Sequence, residues 1–121
     1  PRYTLLDYLP GLADPLAACD LVLARSGASV FELAAAGKPA ILVPYPYATG
    51  RHQHANAAWM ADAGAAITIE DSELTGELVR ELVSELLGDP ERLAEMAAAA
   101  RSLARPDAAQ RVAAEILAAL D

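Results

Sequence analysis

Basic residues are scarce in this chain. Nine Lys and Arg stand against 17 Asp and Glu across 121 residues, giving a formal net charge of -8 and a pI near 4.6. That balance argues against nucleic acid as a partner, because a phosphate backbone needs a basic face. Cysteine is nearly absent. The single Cys19 excludes an internal disulfide, fits a reducing cytosol, and with no histidine close by reads as a small apolar side chain. Long apolar runs are missing too, since no stretch approaches the ~18 uninterrupted residues of a membrane helix. Pro1-Arg2-Tyr3-Thr4 enters an expected strand directly, without the pattern of a signal peptide. The chain carries no G-x-S-x-G elbow, Walker loop or G-x-G-x-x-G fingerprint, and neither histidine has an obvious nucleophile beside it.

The hydrophobic fraction of 55% is largely alanine, roughly a quarter of the chain, which favours helix and close packing. The length fits one domain with a single modest core. Tyr3–Leu9 is expected as a strand stopped by Pro10-Gly11, and Asp14-Pro15 as N-cap and first turn of a brief helix through about Cys19. Asp20–Ala24 is short and apolar on both faces, as buried parallel strands are. Val30–Ala36 is expected as a helix closed by Gly37, and Ala40–Val43 as a third strand. Pro44 and Pro46 stiffen the exit around Tyr45, and Ala48-Thr49-Gly50 completes a loop. Arg51–Ala63 follows as a helix capped by Gly64, then Ala65–Ile69 as a fourth strand and Glu70–Glu73 as a polar turn.

The last third is helical. Thr75 suits an N-cap, with Leu74 and Val79 placed for a hydrophobic staple. Leu78, Val79, Leu82, Val83 and Leu86 keep the helical period up to Gly88. Asp89-Pro90 opens a second helix with Leu93, Met96, Ala97, Ala100 and Leu103. Arg105-Pro106 breaks it, and Asp107 begins a third with Val112, Ile116, Leu117 and Leu120, all three read as packing elements. Strands alternating with helices predict an α/β fold: a Rossmann-like parallel sheet of about four strands with flanking helices.

In such sheets ligands bind beyond the carboxyl ends of the strands, and the polar residues between Arg25 and Asn56 gather there. Gly27 opens a turn whose N–H groups suit a phosphate, with Ser26 and Ser29 as hydroxyl donors; ordinary helix capping explains the same residues. Glu32 completes S-x-x-E with Ser29, so it reads equally as a capping box or as a carboxylate holding ribose hydroxyls. In Arg51-His52-Gln53-His54-Ala55-Asn56, the pairs Gln53/Asn56 and His52/Asn56 share a helix face and offer the paired donors and acceptors that sugar hydroxyls need. A polar surface helix start is the plain alternative. His52 and His54 diverge on a helix, which disfavours a metal. Trp59 and Met60 read as core, and Tyr45 and Tyr47 as loop packing beside a bound sugar or without one.

At these residues the chain resembles the C-terminal, donor-binding domain of the MurG transferases, glycosyltransferase family 28. The likeness runs from Tyr3 to the last helix and is most specific in RSGAS…FELAAAGKPAILVPYP, HQHANA and DAGAA. The resemblance implies a C-terminal UDP-sugar-binding domain of the GT-B architecture over residues 1–121, lacking its first βα units and the N-terminal acceptor domain. It implies an inverting transfer of N-acetylglucosamine from UDP-N-acetylglucosamine to a lipid-linked muramyl-pentapeptide in peptidoglycan synthesis. The acceptor and the catalytic base would belong to the N-terminal domain or a partner chain, so this chain alone would be inactive.

By the same resemblance Glu32 holds the ribose and the Arg25-Ser26-Gly27-Ala28-Ser29 turn lies against sugar and diphosphate. Gln53 and Asn56, with His52 adjoining, bind the sugar, and Leu9 packs on uracil. No cofactor or metal is implied, and the whole enzyme would be cytoplasmic, peripheral on the inner face of the inner membrane. The family's common form has one more residue between the arginine and the glutamate, worth ~100° of rotation on a helix. Arg51 also stands where an acidic residue is frequent. The alternatives are a transferase of the same architecture with another acceptor, or a non-catalytic interaction module. A truncated sheet should expose apolar surface at its edge, which marks association with partners or with itself.

Overall fold

The computed structural model describes residues 3–47, 51–104 and 108–120. Its elements run in the order α1 (Ala13–Ala18), β1 (Val22–Ala24), α2 (Val30–Ala36), β2 (Ala40–Leu42), α3 (His52–Asp62) and β3 (Ala66–Thr68). A short 3-10 turn (Asp71–Glu73) leads to α4 (Gly76–Leu87), α5 (Pro90–Leu103) and α6 (Ala108–Leu120). The sheet has the order β1-β2-β3 and is parallel throughout, with Val22, Ala40 and Ala66 in register. The expected α/β class holds.

β2 is the centre, and alternation of its side chains divides the core in two. Ala40 and Leu42 face Leu16, Val30, Leu33, Ala57 and Met60 from the first three helices. Ile41 and Val43 face Leu86 of α4 and Met96 of α5, with Leu78, Leu82 and Val83 packed alongside. Both faces of a parallel strand must be covered by crossover helices, so the strand reads as a continuous apolar run. Met60 is fully buried, and Trp59 packs against the same cluster with its ring centroid 5.1 Å from that of Phe31. Cys19 is partly buried; its thiol donates to the Leu16 carbonyl at 3.4 Å.

The structure corrects four expectations. The sheet among the described residues has three strands, because Tyr3–Leu9 forms none and its side chains are exposed. Strand propensity without a ladder partner makes no strand. β1 is an edge strand, so Leu23 is 49% exposed and the expected burial on both faces fails. The first helix begins one residue before Asp14, with Leu12 in the N-cap position and no side-chain cap. In α6, Val112, Ile116, Leu117 and Leu120 are more than half exposed, so this helix is not packed as expected. The expected break at Arg105-Pro106, the Asp107 start and the loop residues 48–50 lie outside the described residues.

Helix ends agree better with expectation. The Thr75 side chain accepts from the N–H of Leu78 and that of Asp89 from the N–H of Arg92, each at 3.1 Å. Gly37 ends α2 in the left-handed conformation, φ 67°, and its N–H and that of Lys38 return to Ala34 and Leu33 carbonyls. The Arg101 side chain lies across this glycine, where an added Cβ would come within 2.7 Å of Arg101 Cγ. Gly37→Ala should therefore cost about 1–2 kcal/mol from the backbone conformation alone, measured by urea unfolding. Adding Arg101→Ala should recover only part of the loss, since the steric conflict is relieved and the backbone strain is not.

Candidate functional site

Three parallel strands end on the same side of the sheet, and the chain leaving β1 supplies the Arg25–Ser29 turn there. Arg25 braces that edge. Its guanidinium lies 2.7 Å from an Asp71 carboxylate oxygen and 3.4 Å from both the Val43 and Pro44 carbonyls, and it sits 5.5 Å from the centre of the Tyr45 ring. One side chain thereby connects the exits of β1 and β2 to the turn after β3. Tyr45 packs edge-on against Tyr47 at 5.6 Å, as loop packing would have it.

Ser26 is fully buried. Its hydroxyl, expected at a ligand, is turned inward and donates to the Gln53 carbonyl at 2.6 Å. The Ser26 carbonyl in turn accepts from Asn56 Nδ2 at 2.9 Å. Gln53 Oε1 accepts from the Tyr45 N–H at 2.9 Å, which ties the β2 exit to the start of α3. Arg51 precedes that helix in the left-handed conformation, φ 58°, and His52 is exposed at its first position. His54 diverges from this group, its Nε2 3.2 Å from a Glu70 carboxylate oxygen.

The Gly27-Ala28-Ser29 turn enters α2 with no side-chain cap from Ser29. The backbone N–H groups of these three residues find no acceptor among the described residues. Amides in that condition at a helix start are suited to an anion. A Cβ added to Gly27 would lie 3.7 Å from Gln53 Nε2, so turn and amide adjoin. Glu32 is exposed and the capping box is not formed. Its side chain lines a cavity of about 430 Å³ whose other walls include Ala13, Leu16 and Ala17 of α1 and Lys38. Leu9 opens onto a second cavity, about 580 Å³, lined by Pro10, Gly11, Ala13, Asp14 and Pro15. Ala13 belongs to both.

The structure thus brings Ser26, Gly27, Gln53 and Asn56 into one contact group, with Arg25 and Tyr45 at its border. Glu32 and Leu9 stand apart from that group, in two cavities that share only Ala13. Sequence reasoning missed the Tyr45 N–H and Asp71. The Tyr45 N–H is a backbone group with no side-chain signature, and Asp71 is one of several acids in a polar turn. Among the described residues no three His, Cys, Asp or Glu gather as a metal set, and no helix is long and apolar enough to cross a membrane.

A parallel α/β sheet with flanking helices and with polar side chains and open amides at its strand ends has the Rossmann-like architecture, in which ligands bind beyond the carboxyl ends of the strands. More narrowly, the chain belongs to the family described as the glycosyltransferase family 28 C-terminal domain, whose sequence model matches residues 1–112. It is 51% identical over 110 residues to a Halorhodospira halophila protein named UDP-N-acetylglucosamine--N-acetylmuramyl-(pentapeptide) pyrophosphoryl-undecaprenol N-acetylglucosamine transferase. A Chlorobium limicola protein of the same name is 47% identical over 111 residues. These matches cover 90% and 91% of this chain but only 31% and 30% of the relatives, so the chain spans about a third of their length. A solved structure, Acinetobacter baumannii MurG, is similar with a TM-score of 0.81 and 39% identity, over 90% of this chain and 31% of that one.

Because Ser29 and Glu32 make no capping box, Ser29→Ala and Glu32→Gln should each change stability by less than ~0.5 kcal/mol, against about 1 kcal/mol for a working cap. Urea midpoints measured at constant slope check this. A loss near the larger figure would return Glu32 to a capping role.

Proposed function

We propose that this chain is the donor-binding part of an inverting transferase that moves N-acetylglucosamine from UDP to a lipid-linked muramyl-pentapeptide. The observation that carries the reading is the 51% identity to a transferase of that name, over residues that include the whole polar cluster at the strand ends. The layout supports it. Leu9 and Glu32 line two cavities that share Ala13 as a wall, a suitable arrangement for a base near its ribose. The open amides of Gly27, Ala28 and Ser29 suit the diphosphate, and Gln53 and Asn56, with His52 adjoining, suit the sugar.

In this reading an acceptor hydroxyl attacks the anomeric carbon as the bond to the diphosphate oxygen breaks. The proton passes to a base outside this chain, and UDP leaves with the bonding electrons. Amides fixed at the turn stabilise the negative charge that develops on the diphosphate, without reorganising during the step. Arg25 and Ser26 hold the turn in place. Acceptor and base come from the portion of the relatives that this chain does not span, and the complete enzyme works at the cytoplasmic face of the membrane.

Calorimetric titration with UDP and UDP-N-acetylglucosamine tests the donor site. Binding is expected with a Kd at or below about 1 mM, the range of roughly 4 kcal/mol of binding free energy. No heat at millimolar UDP would favour a non-catalytic module. Because turn amides carry the diphosphate, EDTA should leave the UDP affinity unchanged, and a tenfold loss restored by magnesium would count against the site. The chain by itself should transfer no sugar to a lipid acceptor.

A further inference from the structure

Gln53 and Asn56 carry side-chain amides, and an isolated amide can turn either its oxygen or its nitrogen toward a ligand. Here the protein removes that freedom. The Ser26 carbonyl can only accept, so the group of Asn56 facing it at 2.9 Å must be Nδ2. The Tyr45 N–H can only donate, so the group of Gln53 facing it at 2.9 Å must be Oε1. The 2.6 Å bond from the Ser26 hydroxyl to the Gln53 carbonyl closes the set, joining the turn to the backbone of α3 between the two amides.

What remains is one atom on each side chain. Gln53 Nε2 stands over Gly27, 3.7 Å from where a Cβ would lie, and donates to no described residue. Asn56 Oδ1 makes no hydrogen bond among the described residues. Neither atom is buried without a partner, a condition met among the described residues only by His54 Nδ1. Both therefore reach solvent. We propose that this clasp is a polarity lock: Gln53 presents only a donor and Asn56 only an acceptor, and Ser26 is the positioning residue that holds them so. The inference rests on the donor-site reading for the identity of the ligand, a sugar. It adds a direction to sugar recognition: the ligand hydroxyl oxygen faces Gln53 and a hydroxyl hydrogen faces Asn56.

The two amides respond oppositely to conversion into carboxylates. Gln53→Glu keeps an oxygen for the Tyr45 N–H and loses the outward donor. Asn56→Asp keeps the outward acceptor and sets a carboxylate oxygen against the Ser26 carbonyl. In the ligand-free protein, Asn56→Asp should lower Tm by at least about 3 °C while Gln53→Glu moves it by less than about 1 °C, on the scale expected of a domain this size. In the parent, the Asn56 side-chain N–H hydrogens should exchange at least fivefold more slowly than those of Gln53, read by NMR. Ser26→Ala should narrow that difference. Equal exchange for the two amides, or the reverse order of stability losses, overturns the lock.

The ligand arm uses UDP and UDP-N-acetylglucosamine, with the ratio of their affinities as the readout, because added charge acts on both through the diphosphate. Gln53→Glu should reduce the preference for the sugar-bearing ligand at least fivefold. A ratio unchanged from the parent overturns the donor role of Gln53. A parent that binds UDP without any preference overturns the sugar assignment of the proposed function, while the ligand-free exchange and Tm measurements still decide the lock.

Discussion

A buried serine between two elements imposes the constraint on which this site depends. Ser26 has no exposed surface, so its hydroxyl and its backbone carbonyl must both find partners within the protein. Both find them on α3, at the Gln53 carbonyl and the Asn56 amide. Leaving either group unpaired in that environment would cost about 1–3 kcal/mol, more than the net gain of an ordinary hydrogen bond. The start of α3 is therefore held to the turn after β1 by polar groups that cannot be left unsatisfied. Gly27, Tyr45 and the open edge of the amides are placed as a result.

The rest of the fold sets the stage for that contact. β2 is buried on both faces, and its two neighbours are joined to it in parallel, so the exits of all three strands fall on one side. Helices on either face leave that side uncovered, which is why the polar residues collect there. Arg25 then links the exits of β1 and β2 with the turn carrying Asp71. An exposed ion pair alone contributes little, but here the guanidinium also meets two carbonyls and an aromatic face.

Much of the fold was legible in the chain because local chemistry and packing agreed. Val30–Ala36 with Gly37, the Thr75 cap and the Asp89-Pro90 start follow from residues whose preferences need no distant partner. Tyr3–Leu9 misled for the opposite reason. Its residues favour a strand, but a strand exists only where another backbone offers a ladder, and propensity does not reveal that. Leu23 likewise has the character of a core residue, and only the position of β1 at the sheet edge exposes it. The apolar stripe of α6 was legible as a stripe, and its exposure was not, since a pattern states which side should be covered and not what covers it.

The site divides in the same way. Residue types and spacing alone determined that Gln53 and Asn56 share a helix face, that Gly27 opens a turn, and that Glu32 stands in the first helical turn beyond it. Those are consequences of helical geometry and of what each side chain can donate or accept. Only the tertiary structure decided that Ser26 faces inward, that Glu32 caps nothing, and that Asn56 spends its N–H on the protein. Each of these depends on a partner 27 or 30 positions away or on the absence of one nearby, as in Ser26 with Gln53 and with Asn56. Hydrogen-bond capacity is written in the sequence, but its direction is set by which groups the folded chain brings within reach.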